Sequence, residues 1–425
     1  MLMWVAKEAR PISLRQLMVF GKNLTEARLI DSANYLRTEL PTRLAHRIRD
    51  MQQLPYAVVS NKNIGEVYNL YYSAFDEFRK VKTVVDCDEN DELCRIIRQN
   101  LQAHLTVIPK LAMGILESDG LMDPQALDNF MNTILRSRIS RRVIAEQHLS
   151  LTETFHSSWF IPGMKLSASE YVGEVFIKCV AKDVVERCGK AVQDLVRSTY
   201  GPSVKIPEIR VAGHLTTSFP YILSHIEYIV GELLRNSMQA VAEQQLHHPE
   251  LVQDPLPAIE VTICSSAQHV ILRISDRGGG IPRDELPYLW SFSKGPKSKA
   301  RLEALQRVPL MAATLAELQA GESRRLRDEI GRADLRAPSF ATSTDPVAVS
   351  MPANSSNGSL TSLSSRPPDL RLGMGLPLSR VYAEYWAGSL DVHSLEGYGT
   401  DAFLHVPKLG NKNEQLATRA TMDAV

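Results

Sequence analysis

The sequence predicts a helical domain followed by an α/β domain. From Pro11 to about Phe160, apolar residues recur at helical spacing and glycines are few, which is typical of long packed helices. After residue 200, apolar runs of strand length alternate with helical segments, as they do in α/β folds. A chain of 425 residues with 44% hydrophobic residues is long enough for two or three domains with sizeable cores.

The helical part favours a four-helix bundle, because its long helices are joined by short connections. Pro41 interrupts the stretch over 27–50, so we expect one helix to end or kink there and another to begin at about Thr42. Other helical patterns lie at 67–78, at 93–116, and from Asp123-Pro124, a good helix start, to about Leu151.

The second half alternates helices with strands. A helix is predicted from Ser167 or Glu170 to Val196, and another over 226–242. Strands are predicted at 206–211, 259–263 and 270–274, and the last elements are a glycine loop from Arg371, a helix over 376–386 and a hairpin of 389–394 with 401–406.

The domain boundaries follow from changes in composition. Residues 299–336 suit a charged helix, whereas 338–368 are rich in Ser, Thr, Pro and Asn and bury too little apolar surface to offset their ordering entropy. We therefore predict a helical bundle domain over 11–160, an α/β domain over 161–408 with a partly disordered insertion at 295–370, and a loose tail over 409–425.

Charge and hydropathy argue against several classes of protein. The 48 basic and 48 acidic residues balance, so nothing in the net charge favours nucleic acid or an anionic membrane as a partner. No apolar run reaches the roughly 18 residues of a membrane-spanning helix. The opening MLMWVAKEAR resembles neither a secretory signal nor a clear transit peptide. The five cysteines form no C-x-x-C pair, which favours a reducing compartment.

Polar residues that packing does not require lie on the helix over 226–242. Glu232, Asn236 and Gln239 lie away from its apolar stripe, so we expect them on an open face. A solvated helix surface is the common explanation of such residues. The chemical alternative is that Glu232 acts as a general base and that the Asn236 carbonyl oxygen binds magnesium.

Two glycine-rich segments complete a candidate nucleotide site. Asp276 ends an apolar strand and is suited to accept a hydrogen bond from a purine amine, while Gly278 to Gly280 let the backbone approach the base. Gly373 and Gly375 precede a helix, whose N-terminus favours phosphate oxygens. Each motif alone is common in turns, but their order along the chain favours ATP binding.

These motifs, in this order, resemble the ATP-binding fold shared by gyrase, Hsp90, histidine kinases and the MutL repair proteins. Glu232-x-x-x-Asn236 is similar to its N box, and Asp276-x-Gly278-x-Gly280, Gly373-x-Gly375 and Gly399-Thr400 are similar to its three glycine boxes. GELLRNSMQAV, RISDRGGGIP and GLPLSRVYAEYWAGSL narrow the resemblance to the mitochondrial 2-oxoacid dehydrogenase kinases, as do SANYLRTELPTRLAHRIRDMQQLP and VAGHLTTSFPYI from the amino half.

The resemblance implies a protein-serine kinase with an α/β sandwich ATP-binding domain. In such a kinase Glu232 is the general base and Asn236 is the magnesium ligand. Asp276 binds adenine and is assisted by Thr400. Further nucleotide contacts are implied at Gln239, Gly278, Gly280, Ser293, Lys294, Arg371, Leu372, Gly373, Met374, Gly375 and Leu376. Three of these depart from the family pattern, since Gln239 replaces a frequent arginine, Arg371 replaces a glycine, and Lys294 departs from a Ser/Thr pair.

The resemblance also implies the partners. They are ATP, Mg²⁺, K⁺ near the nucleotide, a subunit of the pyruvate or branched-chain dehydrogenase complex as substrate, and the lipoyl domain of the acyltransferase core as a docking site. It implies that the kinase is a homodimer in the mitochondrial matrix. It also implies that phosphorylation by the kinase inactivates the complex. The tail lacks the family's Asp-Trp pair, and the sequence does not choose between the two complexes.

Two alternatives stay open. His148 could be the phosphoacceptor of a histidine kinase, but the acidic residue and the Arg-Ser/Thr-Pro that usually follow are missing, so a packing histidine is the simpler explanation. Alternatively, the protein is noncatalytic, and the nucleotide only controls docking of the bundle.

Overall fold

The computed structural model describes residues 1–158, 160, 171–251, 255–307 and 372–416. Their first part is helical, and their second part combines helices with two sheets. The first eight helices are α1 Leu2–Val5, α2 Leu14–Lys22, α3 Glu26–Gln52, α4 Tyr56–Val59, α5 Lys62–Phe78, α6 Cys87–Ala103, α7 Val107–Glu117 and α8 Pro124–Phe155. Within the described ranges, no helix has both the length and the apolar character needed to cross a membrane.

Side-chain caps explain where several of these helices begin. The Ser13 hydroxyl accepts a hydrogen bond from the Gln16 amide in a capping box. The Asp123 carboxylate accepts one from the Ala126 amide, and Pro124 occupies the first helical position. The predicted start of α8 at Asp123-Pro124 is therefore confirmed.

Two helix predictions in this part are wrong. Pro41 lies inside α3, which runs as a single helix. A proline there removes a hydrogen bond and costs about 3 kcal/mol, but the buried Leu40 and Leu44 on either side contribute about as much each. The helix predicted over 93–116 is two helices, because Pro109 is tolerated in the first turn of α7 and would break a longer helix.

The remaining elements follow the order predicted for a mixed fold. They are β1 Tyr171–Val172, β2 Val175–Val180, α9 Ala181–Tyr200, β3 Ile209–Gly213, β4 Ser218–Ile222, α10 Leu223–His247, β5 Ile259–Ser265, β6 His269–Asp276, α11 Ser298–Arg307, α12 Gly375–Tyr385, β7 Ser389–Leu395 and β8 Gly399–Pro407. The predicted charged helix begins as α11. The disorder predicted over 338–368 lies outside the described residues.

The strands form two sheets. One is antiparallel with the order β1-β2-β4, and the other has the order β3-β5-β6-β8-β7, in which β3 and β5 are parallel and the other neighbours antiparallel. The predicted β7–β8 hairpin is confirmed. The helix predicted from Ser167 or Glu170 is wrong over 171–180, where Gly173 turns β1 into β2 at a φ of 60° and β2 pairs with β4, some forty residues further on.

The alternation of buried and less buried side chains along β6 determines the direction of Asp276, one of the candidate site residues. Val270, Leu272, Ile274 and Asp276 share its buried face, because successive strand residues point to opposite faces. Asp276 is paired with Thr400 of β8, so the two residues lie side by side where the strands end. The carboxylate is therefore directed toward the helices that cover the sheet rather than toward solvent.

Candidate nucleotide site

Asp276 is held between α10 and the turn that follows β6. The Ser237 hydroxyl donates to its Oδ2 at 2.8 Å, and the Gly278 amide donates to its Oδ1 at 3.0 Å. Burial raises the pKa of the Asp276 carboxyl, while these two hydrogen bonds and the Thr400 backbone act in the opposite direction. The result is a fixed, buried acceptor at the end of a strand.

The glycine turn needs its glycines for two reasons. Gly279 and Gly280 have φ values of 87° and 74°, which side chains rarely adopt. A Cβ on Gly278 would lie 2.6 Å from the Ala240 Cβ, and one on Gly280 would overlap the Leu395 carbonyl oxygen. The turn therefore packs closely against α10 and against the β7–β8 hairpin.

The open face predicted for Glu232 is wrong. Its side chain is only 1% exposed, and its Oε1 lies 3.6 Å from the Arg235 guanidinium. Apolar periodicity marks one face of α10, but α9 and α12 also pack on this helix, so its polar face is covered as well. Asn236, one turn further on, is half-buried and does reach the cleft described next.

A cleft of about 910 Å³ lies between α10, the glycine turn, α11 and the start of α12, within the size range of small-molecule sites. Of the residues predicted to bind nucleotide, it is lined by Asn236, Gln239, Gly278, Gly280, Lys294, Gly373, Gly375 and Leu376. Gln239 is only 7% exposed, so the open face predicted for it is wrong as well, and its side-chain amide donates to Glu243 at 2.9 Å. Asn236 of the N box, the first glycine box and the glycine box at Gly373 and Gly375 therefore meet at one cleft.

The segment from Leu372 to Leu376, here called the phosphate loop, alternates buried side chains with glycines. Leu372 and Met374 are at most 1% exposed, whereas Gly373 and Gly375 line the cleft. A Cβ on Gly375 would overlap the Glu232 carboxylate. The first residue of α12 thus lies directly against the predicted base, and the helix N-terminus with its unpaired amides borders the cleft.

Other predicted site residues lie elsewhere. Asp276 and Thr400 line a second, smaller cleft of about 340 Å³ beside the first glycine turn. Ser293 is buried, and its hydroxyl donates to the Pro124 carbonyl at 3.3 Å while its amide donates to Asp128 of α8. Arg371 lies outside the described residues.

Two residues that hold the segments around the cleft were not found from the sequence. The Asp128 carboxylate accepts hydrogen bonds from the Phe292 and Ser293 amides and so fixes the segment that leads into α11. Arg301 of α11 lines the cleft and contacts the phosphate loop. Neither residue belongs to a motif, and an arginine within a charged helix gives no signal that it is buried.

His148 is fully buried in α8, with its Nδ1 3.0 Å from the Ser32 hydroxyl. Burial lowers its pKa to about 4. A phosphoacceptor histidine must be accessible to a bound nucleotide. The buried environment of His148 is instead that of a packing, hydrogen-bonding histidine, which is the simpler of the two explanations.

A glycine loop at a helix N-terminus, placed over a buried carboxylate and beside an amide, suits the binding of phosphate groups. Comparison with known proteins agrees. Residues 11–176 match the family model described as mitochondrial branched-chain alpha-ketoacid dehydrogenase kinase. The chain is 31% identical to a mitochondrial [pyruvate dehydrogenase (acetyl-transferring)] kinase 2 of Saccharomyces cerevisiae, over 96% of this chain and 83% of that protein.

Two further relatives bear the same kind of name. The mitochondrial [pyruvate dehydrogenase (acetyl-transferring)] kinase of Arabidopsis thaliana is 28% identical over 97% of this chain and 94% of its own length. Isozyme 4 from Rattus norvegicus is 27% identical over 95% of this chain and 82% of its own length. The chain therefore belongs to the mitochondrial 2-oxoacid dehydrogenase kinase family, as its motifs predict, and it is a mitochondrial protein kinase.

Proposed function

We propose that this kinase transfers phosphate from ATP to a serine of the pyruvate dehydrogenase complex and so inactivates that complex. The relatives matched over nearly the whole chain are named for the pyruvate enzyme. The branched-chain name comes from a match to residues 11–176. The pyruvate complex is therefore the leading substrate and the branched-chain complex the second.

The observation that carries the mechanism is the contact between Gly375 and Glu232. At this contact the phosphate loop meets the buried carboxylate of Glu232, which lies a single helical turn before Asn236. Glu232 accepts the proton of the substrate serine, the serine oxygen bonds to the γ-phosphorus of ATP, and ADP leaves with the electrons of the broken bond. The amides of the phosphate loop stabilise the charge on the phosphates.

Residues of this cleft and of the second cleft beside the glycine turn suit the rest of the nucleotide. Asp276, with Thr400 beside it, accepts a hydrogen bond from the adenine amine, and Gly278 and Gly280 allow the base to approach the backbone. Asn236 offers a neutral oxygen in the cleft, which fits magnesium, an ion that takes few protein ligands and completes its shell with phosphate and water. Bound magnesium supplies charge neutralisation at the transferred phosphate, and K⁺ near the nucleotide is part of the same proposal.

The domain roles are part of the proposal too. Residues 11–160 form a four-helix bundle that docks on the lipoyl domain of the acyltransferase core and so concentrates the kinase near its substrate. Residues 161–408 form a nucleotide domain of the histidine-kinase and Hsp90 type, with an insertion at 295–370. The kinase acts as a homodimer in the mitochondrial matrix.

Labelled ATP and purified complexes test this function. We expect acid-stable phosphate on a serine of the pyruvate complex and a matching loss of dehydrogenase activity. Phosphate confined to the branched-chain complex would reassign the substrate. Acid-labile phosphate on the kinase that is lost in His148→Gln would support the histidine-kinase alternative. Tight ATP binding without phosphate on either complex would favour a noncatalytic docking protein.

A further inference from the structure

Arg301 of α11 joins two distant segments of the chain. Its side chain is 8% exposed, and its guanidinium donates to the carbonyls of Phe292 at 3.2 Å and Lys294 at 3.3 Å. It also donates to the carbonyls of Leu372 at 3.4 Å and Gly373 at 3.2 Å, which lie 71 and 72 residues further along the chain. One side chain therefore fastens the phosphate loop to the segment before α11.

The chemistry of arginine suits this role. A guanidinium presents several N–H donors in a rigid planar fork, so it can serve acceptors from two backbone segments at once. Burial lowers the pKa of Arg301, although the charge of Asp128 favours the protonated form. A buried cation surrounded by carbonyl oxygens loses much of its hydration, and it is retained where its hydrogen bonds compensate for that loss.

The contact lies next to the candidate catalytic carboxylate. Gly373 has a φ of 66°, and a Cβ there would overlap the Arg301 side chain, so the backbone runs directly against the guanidinium. Two residues later the same loop lies against Glu232 through Gly375. The position of Gly375 over the carboxylate therefore depends on where the first half of the loop is held.

We propose that Arg301 is a positioning residue for phosphotransfer, which fixes the phosphate loop against residues 292–294 so that Gly375 stays over Glu232. This role rests on the proposed function, since it assumes that ATP phosphates bind at the loop. Arg301 itself touches backbone rather than reacting atoms, so its removal should disturb phosphate binding and turnover without changing the recognition of adenine.

The test compares Arg301→Met with Lys299→Met, which removes the same charge from an exposed position of the same helix. In Arg301→Met, amide hydrogen exchange at 372–376 should accelerate by at least about 10-fold, and Kd for ATP should rise by about 10- to 100-fold, as expected when hydrogen bonds from a charged donor are lost. Kd for adenosine, which lacks phosphates, should not change, and kcat should fall. Lys299→Met should match the wild type.

Arg301→Lys is a second test variant, and it replaces Arg301→Met if that variant does not fold. A single ammonium cannot span both segments, so Arg301→Lys should show the same faster exchange at 372–376. Full recovery by lysine would overturn the proposal, as would unchanged exchange at the loop. Acceleration spread over the whole chain, with a lower Tm, would also overturn it. If the wild type binds no ATP, the proposed function fails and the phosphotransfer role fails with it, whereas the exchange comparison still shows whether Arg301 holds the loop in place.

Discussion

The Glu414 carboxylate lies 2.9 Å from the Arg43 guanidinium, although 371 residues separate them along the chain. Both side chains are buried, and Glu414 also accepts hydrogen bonds from the Ile12 amide and the Tyr385 hydroxyl. It therefore joins α3, the amino-terminal segment and α12, the helix that begins with Gly375. Residues 411–416 thus differ from the loose tail expected there, and the cation on α3 explains why.

Glu414→Gln should destabilise the protein by about 1–3 kcal/mol, because it removes the charge of one of the two buried carboxylates that pair with Arg43, the other being Glu39 at 3.2 Å. Urea unfolding monitored by circular dichroism measures the change. Glu8→Gln is the control, since Glu8 is exposed and the substitution is the same. A Glu414→Gln variant within about 0.5 kcal/mol of the wild type would contradict the role of this ion pair, since that is the range of ordinary surface changes.

Gly375→Ala should abolish most phosphotransfer while leaving the fold intact. The new Cβ overlaps the Glu232 carboxylate, so either the loop or the base must move, and a displacement of about 1 Å near reacting groups lowers rates by about 100-fold. Steady-state kinetics with the purified complex measures the loss. Gly65→Ala is the matched control in α5, where a Cβ meets no atom within 4 Å and should stabilise the helix by about 0.5–1 kcal/mol. Full activity in Gly375→Ala would show that the loop does not need this close approach.

The buried His148 should make the protein sensitive to acid. Its pKa is about 4 when folded, against an ordinary value of 6.5, so between these pH values the unfolded chain binds a proton that the folded chain does not. The free energy of unfolding should therefore decrease as pH falls from 6.5 toward 4. The contribution of His148 to this decrease should be about 2 kcal/mol at pH 5. Urea titrations of wild type and His148→Gln at pH 7 and pH 5 measure it, with exposed His156→Gln as control. Equal pH dependence in all three proteins would refute the burial argument.

Local signals in the sequence predict much of the fold. The cap at Asp123 with Pro124 specifies where α8 begins, and the glycines at 397 and 399 mark the β7–β8 turn. The glycine turn after Asp276 is equally local, because its conformation is restricted by φ. These features depend on a few neighbouring residues, so they can be recognised without knowledge of the packing.

Features that depend on distant contacts could not be predicted in this way. The burial of Glu232 results from α12, more than 140 residues later, and the strands at 171–180 exist because β4 pairs with β2. The position of Arg301 depends on its hydrogen bond to the Leu372 carbonyl, 71 residues further along the chain. Periodicity reports which residues are apolar, whereas these outcomes depend on which segments meet.

Replacing Glu232 with glutamine tests the central claim most directly. The measurement is single-turnover phosphoserine formation on the pyruvate complex together with Kd for ATP. Glu227→Gln is the control, because Glu227 is also a buried, ion-paired glutamate of α10, 3.0 Å from Arg187. Glu232→Gln should slow phosphotransfer by at least about 100-fold, the usual effect of losing a general base, while Kd for ATP stays nearly unchanged and Glu227→Gln keeps its turnover. Near-normal turnover in Glu232→Gln would contradict the assignment of Glu232 as the base.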